Sequence, residues 1–407
     1  MKGKKLSYLI NVVILISGLV LFPWVTADRA SASDNEKTLR IGALLSVTGF
    51  FSVREVPDYN QGKIAVDMIN EQGGIEVNGQ KYKVELVLED CKSTMDGVTA
   101  AANKLIYDKK IRFLIGPTAF FAAAAGPVCD PNQGMRLITW CVNSPGELDE
   151  STPFSFLGGG GSVFNGTAAA KYLKKAYPNV QKVAVVMPDD GSIPYFEPIL
   201  KQILKSVGLS MVGDIVAYSN TMQDMNPIAA KLNAIKDSDA IFMQNGLVPH
   251  MGGIVKGLRE LGNNKPYAGA LPARIGQIMN IAGAEKMNDV FTVAYTPNDP
   301  QMPPIAKEVI DRTTAKYGKG YQLELSAPNC LWILKEVIEA AQSLDPAVVK
   351  KQFESMNEVE TIFGKASISG NETFGIKHHV VATPQPIQIS KNGAEAPAGW
   401  IDLGVIP

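Results

Sequence analysis

From Thr38 onward, short apolar blocks alternate with segments whose apolar residues recur at helical spacing. Residues 39–45 form a short apolar run and read as a buried strand. Residues 59–71 carry Ile64, Met68 and Ile69 on one helical face, and Gly73-Gly74 stops that helix. Residues 82–89 alternate like a strand, 98–107 read as helix, 112–115 as a strand ending at Gly116-Pro117, 119–125 as an Ala-rich helix and 136–141 as another strand. A βαβα series of this kind predicts a parallel sheet with helices on both faces.

The pattern breaks at Gly158–Gly161, four consecutive glycines where neither helix nor strand is well supported, and then restarts. Residues 182–187, 211–218, 240–244, 266–270 and 290–295 read as strands; 195–207, 227–235, 250–261 and 274–282 read as helices. A proline-rich joint at 297–304 follows, then helices at 305–317, 329–343 and 346–355, then short strands and turns from Thr361. Two α/β units in series predict two doubly wound parallel-sheet lobes. Ligands of such sheets bind beyond the carboxyl ends of the strands, where strand order reverses. Two facing edges of this kind make a cleft, and hinge closure is its usual motion.

The N-terminus changes this picture by placing the protein outside the cytoplasm. Lys2, Lys4 and Lys5 precede an apolar run over residues 6–25, and Ala30-Ser31-Ala32 supplies a small-x-small cleavage site. The run is long enough to span a bilayer as an uncleaved anchor. The polar, small-residue stretch that follows favours a cleaved signal peptide over residues 1–32. No cysteine sits at that site, which argues for a free periplasmic protein rather than a lipoprotein. Cleavage would remove a net +3 from a chain of formal charge −1, leaving about −4. Neither value, nor any basic stripe, points to nucleic acid as a partner. Cys91, Cys129, Cys141 and Cys330 allow three complete disulfide pairings, or buried free thiols, and match no zinc spacing.

Catalytic chemistry finds little material. The glycine run does not supply G-x-G-x-x-G, because its third glycine would fall on Val163 or Phe164. Neither a G-x-x-x-x-G-K-[ST] loop nor a G-x-S-x-G elbow is present. Of three histidines, His378 and His379 are adjacent and diverge on a strand, and His250 stands apart, so neither a metal site nor a Ser-His-Asp triad is expected. The expectation is a non-enzyme without cofactor. Loops after strands are more informative. Thr118, Ala119, Phe120 and Phe121 lead from strand to helix, where free backbone N–H groups form a natural anion site. Phe120 and Phe121 diverge by about 100° on a helix, so only one of them faces the core. Cys141, Asn143 and Ser144 follow the next strand with polar donors. Leu247 belongs to the Asn245-Gly246-Leu247-Val248 loop, and Asp189 to Asp189-Asp190-Gly191, either a polar cleft loop or an ordinary turn.

Segments 39–49 (LRIGALLSVTG), 69–75 (INEQGGI), 84–90 (VELVLED) and 113–117 (FLIGP) together resemble the branched-chain amino-acid-binding family of ABC importers, in order along the chain. The resemblance implies a type I periplasmic-binding fold with three crossovers near 153–158, 294–298 and 362–366. Lobe 1 would be 33–153 with 297–362, and lobe 2 would be 154–296 with 363–407. It also implies a monomer without catalysis whose closed form is read by an inner-membrane permease. The first strand's loop would bring Ser46 to the ligand.

The resemblance puts hydroxyl residues after the third and fourth strands on the ligand's carboxylate, and an acid near Leu271 on its ammonium. Here Ala119, Phe120 and Phe121 replace hydroxyls, and no carboxylate stands at 270–274. A buried ammonium needs a paired acid. The expectation is therefore an anionic ligand with an apolar or aromatic body. Phe120 and Phe121 would pack on the body; Asn143, Ser144 and either Arg54 or Arg274 would hold the carboxylate, unless both arginines are solvated surface groups. An amino acid remains the alternative cargo. A secreted sensor of the same fold is the alternative class, although no later apolar run approaches membrane-spanning length. An α/β enzyme with an undescribed carboxylate site is a further one.

Overall fold

The computed structural model describes residues 37–118, 121–141, 147–381 and 384–404. Two sheets organise these residues. The first forms from β1 (Lys37–Leu45), β2 (Ile75–Val77), β3 (Gln80–Asp90), β4 (Phe113–Ile115), β5 (Met135–Cys141) and β6 (Ser155–Gly161). The chain then enters the second sheet, which holds β7 (Lys182–Pro188), β8 (Ser210–Met211), β9 (Val216–Tyr218), β10 (Ala240–Gln244), β11 (Tyr267–Ala270) and β12 (Val290–Thr292). It returns to the first for β13 (Glu358–Thr361), β14 (Gly364–Ser369) and β15 (His379–Val381), and ends in the second with β16 (Gln385–Lys391) and β17 (Ala394–Ile401).

The first sheet has the order β13-β14-β15-β6-β5-β4-β1-β3-β2, and the second β17-β16-β12-β11-β10-β7-β8 with β9 also on β7. The central strands of both are parallel, and antiparallel pairs occupy the edges. In the first sheet β1 lies between β3 and β4; in the second β7 lies between β8 and β10. These are the points where strand order reverses.

Helices cover both faces, as a parallel sheet requires. On the first sheet, α1 (Ser52–Glu71) buries Ile64, Ala65, Met68 and Ile69. One core joins it to helices at Pro304–Tyr317, Ser326–Ala341 and Pro346–Ser355. Gly62 lets α1 approach the Ser326–Ala341 helix, since a Cβ there would stand 3.3 Å from that of Ala327. The opposite face carries Met95–Asn103, a π-helical turn at Lys104–Asp108 and Ala122–Cys129. On the second sheet, Ser162–Ala176 and Ile193–Ser206 cover one face, and Asn226–Ala234, Val248–Glu260 and Ile275–Ala282 the other.

Several features depart from the sequence expectation. Gly158–Gly161 is strand, because β6 runs so close to β5 that a Cβ on Gly159 would fall on the Thr139 carbonyl. The helix Ser162–Ala176 was not anticipated; it follows that strand directly and buries the consecutive Ala168, Ala169 and Ala170. The single strand expected over 211–218 is two, interrupted by Gly213 at φ +70°. Finally, β14 and β15 pair within the first sheet, so the third passage follows residue 381 instead of lying near 362–366. All four cysteines are buried, and Cys91, Cys129 and Cys330 are free thiols. His378 and His379 do diverge, one stacking on Phe156 and the other on Phe164.

Candidate functional site

The carboxyl ends of the two sheets face a cavity of about 260 Å³. The first sheet contributes Phe51, Val53 and Arg54 from the start of α1, Trp140 near the end of β5, and Gln322 and Glu324 from the loop before the Ser326–Ala341 helix. The second contributes Pro188 at the end of β7 and Asp190 after it, Asn245 to Pro249 after β10, Leu271 to Ala273 after β11, and Gln277. Every strand that supplies this wall ends at the cavity, which is where a doubly wound sheet places its ligand.

Arg54 is held from two sides. Its Nε donates to Glu324 Oε2 at 2.8 Å, and its guanidinium lies over the Trp140 ring, 4.4 Å from the centroid. Its two Nη groups have no hydrogen-bond partner among the described residues. A guanidinium fixed in plane, with one edge of donors free, suits bidentate capture of a carboxylate.

The loop that carries Glu324 is pinned from α1. Gln61 Nε2 donates to the Gln322 carbonyl at 2.6 Å, and Gln61 Oε1 accepts from the backbone of Glu324 and Leu325, each at 3.0 Å. Asp58 accepts from the Ala327 amide at 2.8 Å. Arg54, Asp58 and Gln61 lie at i, i+4 and i+7, one polar stripe along a helix that is otherwise apolar on that side.

Burial raises three acids here. Desolvation pushes Glu55 up to about 7 against the hydrogen bond from the Ser46 amide, and Asp58 up to about 7 with help from the Glu324 charge. Burial also raises Glu324, opposed by Arg54. Both Glu324 oxygens are engaged, one by Arg54 and one by Gln322 Nε2 at 2.9 Å. Burial therefore leaves this side of the cleft less negative than its residue count suggests.

On the other wall Asn245 adopts φ +60° and is 8% exposed. Its Oδ1 accepts from Ser162 Oγ and Gln244 Nε2, while its Nδ2 has no partner among the described residues. Asp190 Oδ1 accepts from the amide and hydroxyl of Ser192.

The residues expected from the sequence distribute unevenly. Arg54, Leu247 and Leu271 line the cavity. Ser46 is buried and bonded to Glu55 and Ser93, behind the wall. Thr118 is buried, its hydroxyl has no hydrogen-bond partner among the described residues, and its backbone bridges to Trp140, outside the cavity lining. Phe121 packs in the core at 5.4 Å from Phe51, which it supports. Cys141 is buried at the end of β5. Asp189 is exposed, and its neighbour Asp190 faces the cavity instead. Arg274 is neither a surface group nor a free receptor: it is 4% exposed, paired with Glu395 and bonded to the carbonyls of Lys319 and Tyr321. Ala119, Phe120, Asn143 and Ser144 lie outside the described residues. Sequence reasoning missed Trp140, Gln322 and Glu324; the stripe Arg54, Asp58 and Gln61 was the available signal.

Among the described residues no group of His, Cys, Asp and Glu is arranged to hold a metal, and no helix is long and apolar enough to cross a membrane. The family model described as periplasmic binding protein matches residues 38–394. A leucine-binding protein from Thermotoga maritima is similar at TM-score 0.72 and 23% identity, over 90% of this chain and 99% of that one. A branched-chain amino acid transporter substrate-binding protein from Streptococcus pneumoniae, in complex with isoleucine, is similar at 0.72 and 21%, over 91% and 100%. An ABC transporter solute-binding protein from R. palustris, in complex with 4-hydroxybenzoate, is similar at 0.71 and 19%, over 90% and 96%. At these identities the likeness speaks for the fold.

Proposed function

The chain belongs to the periplasmic binding protein family, and from that premise we propose that it captures a small monocarboxylate with an aromatic or aliphatic body for an ABC importer. The observation that carries this reading is the Arg54 guanidinium, with its Nε edge held by Glu324, its face on Trp140 and its Nη edge free. The ligand's carboxylate meets that edge. Its body packs among Phe51, Trp140, Leu247 and Leu271, and Asn245 Nδ2 donates to an acceptor at the other end. Delivery to an inner-membrane permease, secretion through a signal peptide over 1–32 and a monomeric, non-catalytic role complete the proposal; residues 1–32 lie outside the described residues.

Isothermal titration of the purified protein with 4-hydroxybenzoate and with leucine tests the ligand class. Binding of the aromatic acid with little or no binding of leucine is the expected result. Tight leucine binding without acid binding overturns it. One observation favours the amino-acid reading: Asp190 Oδ2 has no partner among the described residues and its side chain lines the cavity. An ammonium there would make leucine binding sensitive to Asp190→Asn, whereas binding of an aromatic acid is indifferent to it.

A further inference from the structure

A second cavity of about 40 Å³ adjoins the first. Arg54, Trp140, Pro272 and Glu324 line both, so the carboxylate-holding group stands at their junction. The space exists partly because β6 is glycine where it borders Trp140; a Cβ on Gly160 would stand 3.1 Å from the indole. About 10–15 Å³ accommodates one water-sized group, so this cavity has room for a short branch of a ligand. Its walls are not inert. Asn165 lines it, is 3% exposed, and its Nδ2 has no hydrogen-bond partner among the described residues. Tyr295 and Ser326, both hydroxyl-bearing, line the same space.

Resting on the monocarboxylate reading above, we propose that this second cavity is a subsite for a neutral hydrogen-bond acceptor carried on the carbon next to the ligand's carboxylate, so that the ligand class is a 2-hydroxy or 2-keto acid with an apolar body. A carboxylate on the free edge of Arg54 leaves the ligand's body in the larger cavity, and only a branch beside the carboxylate reaches the smaller one. The unpaired polar group on this lining residue is a donor, which selects an acceptor. A buried amide N–H left without a partner is unfavourable, so filling it adds affinity that the unbranched acid lacks. An ammonium branch fits less well. It would meet the Asn165 N–H, and both oxygens of Glu324 are already engaged.

Phenylacetate, mandelate and phenylglycine differ only in this branch and are the probes. Titration of the wild-type protein should give mandelate a Kd about tenfold below that of phenylacetate. Asn165→Ala should remove that advantage while leaving phenylacetate within about twofold. Tyr295→Phe serves as a second variant that removes one hydroxyl without a cavity, and a melting curve of each variant confirms folding. Equal affinity of mandelate and phenylacetate overturns the subsite and makes the second cavity a solvent space. Tighter binding of phenylglycine than of mandelate also overturns it, in favour of an ammonium. Failure of all three and of 4-hydroxybenzoate to bind overturns the aromatic monocarboxylate reading itself.

Discussion

At the scale of single residues, the account turns on Arg54. Its charge alone says little, because an arginine near a cleft is often a solvated group. The pair with Glu324 and the stack on Trp140 make it a preset receptor. Hydrogen bonds to charged groups contribute about 1.5–3 kcal/mol each. Arg54→Gln should therefore weaken binding of a carboxylate ligand by about 2–3 kcal/mol, roughly 30- to 150-fold in Kd. Calorimetry checks this, and an unchanged Kd would remove Arg54 from the site. Leu247 and Leu271 were legible in the sequence because each lies in the loop that follows a strand of a doubly wound sheet. Glu324 was not. It lies in a loop between two helices, with no strand before it, and reaches the site only because α1 packs on the Ser326–Ala341 helix. Arg274 misled for the converse reason: its position after β11 is right, but Glu395, far along the chain, takes its charge.

At the scale of elements, the clearest lesson is the glycine strand β6. Periodicity sees no pattern in four glycines, yet the strand is required by what faces it. The Thr139 backbone leaves no room for a side chain at 159. Gly159→Ala should therefore destabilise the protein by roughly 3 kcal/mol, since overpacking against backbone has no flexible side chain to yield. Gly320→Ala, at a position with open space and no positive φ, is the control and should leave the melting temperature nearly unchanged. Equal melting temperatures for the two variants would contradict the close approach. The start of α1 was equally hidden. The apolar spacing of Ile64, Met68 and Ile69 put its start at residue 59, but it begins at Ser52 and holds Pro57 near its N-terminal end. Those extra turns carry Arg54 and Asp58.

At the scale of the whole molecule, alternation of apolar blocks made the α/β class and both sheets legible. The route of the chain between sheets was less so, because β14 and β15 are short and the pairing that ties them to the rest of the first sheet joins His379 to the distant Leu157 in β6. The buried acids beneath the cleft give the molecule a pH signature. Glu55 and Asp58, ordinarily at 4.5 and 3.8, are pushed up to about 7 in the native state by burial. The native state then holds protons that the unfolded chain has released, so stability falls as pH rises from about 4 to 7 and levels off above. Each unit of raised pKa corresponds to about 1.4 kcal/mol. Melting temperatures should thus decline between pH 5 and 7. The double variant Glu55→Gln with Asp58→Asn, which keeps both acceptor oxygens, should flatten that decline. A wild-type curve that rises with pH would contradict the assignment.

The central claim is the class of molecule that Arg54 selects between the two sheets. Native mass spectrometry of the protein incubated with an equimolar mixture of 4-hydroxybenzoate, phenylacetate, mandelate, leucine and isoleucine measures that choice in one spectrum. A complex carrying the mass of one of the aromatic acids is the expected result. A complex carrying only leucine or isoleucine would contradict it.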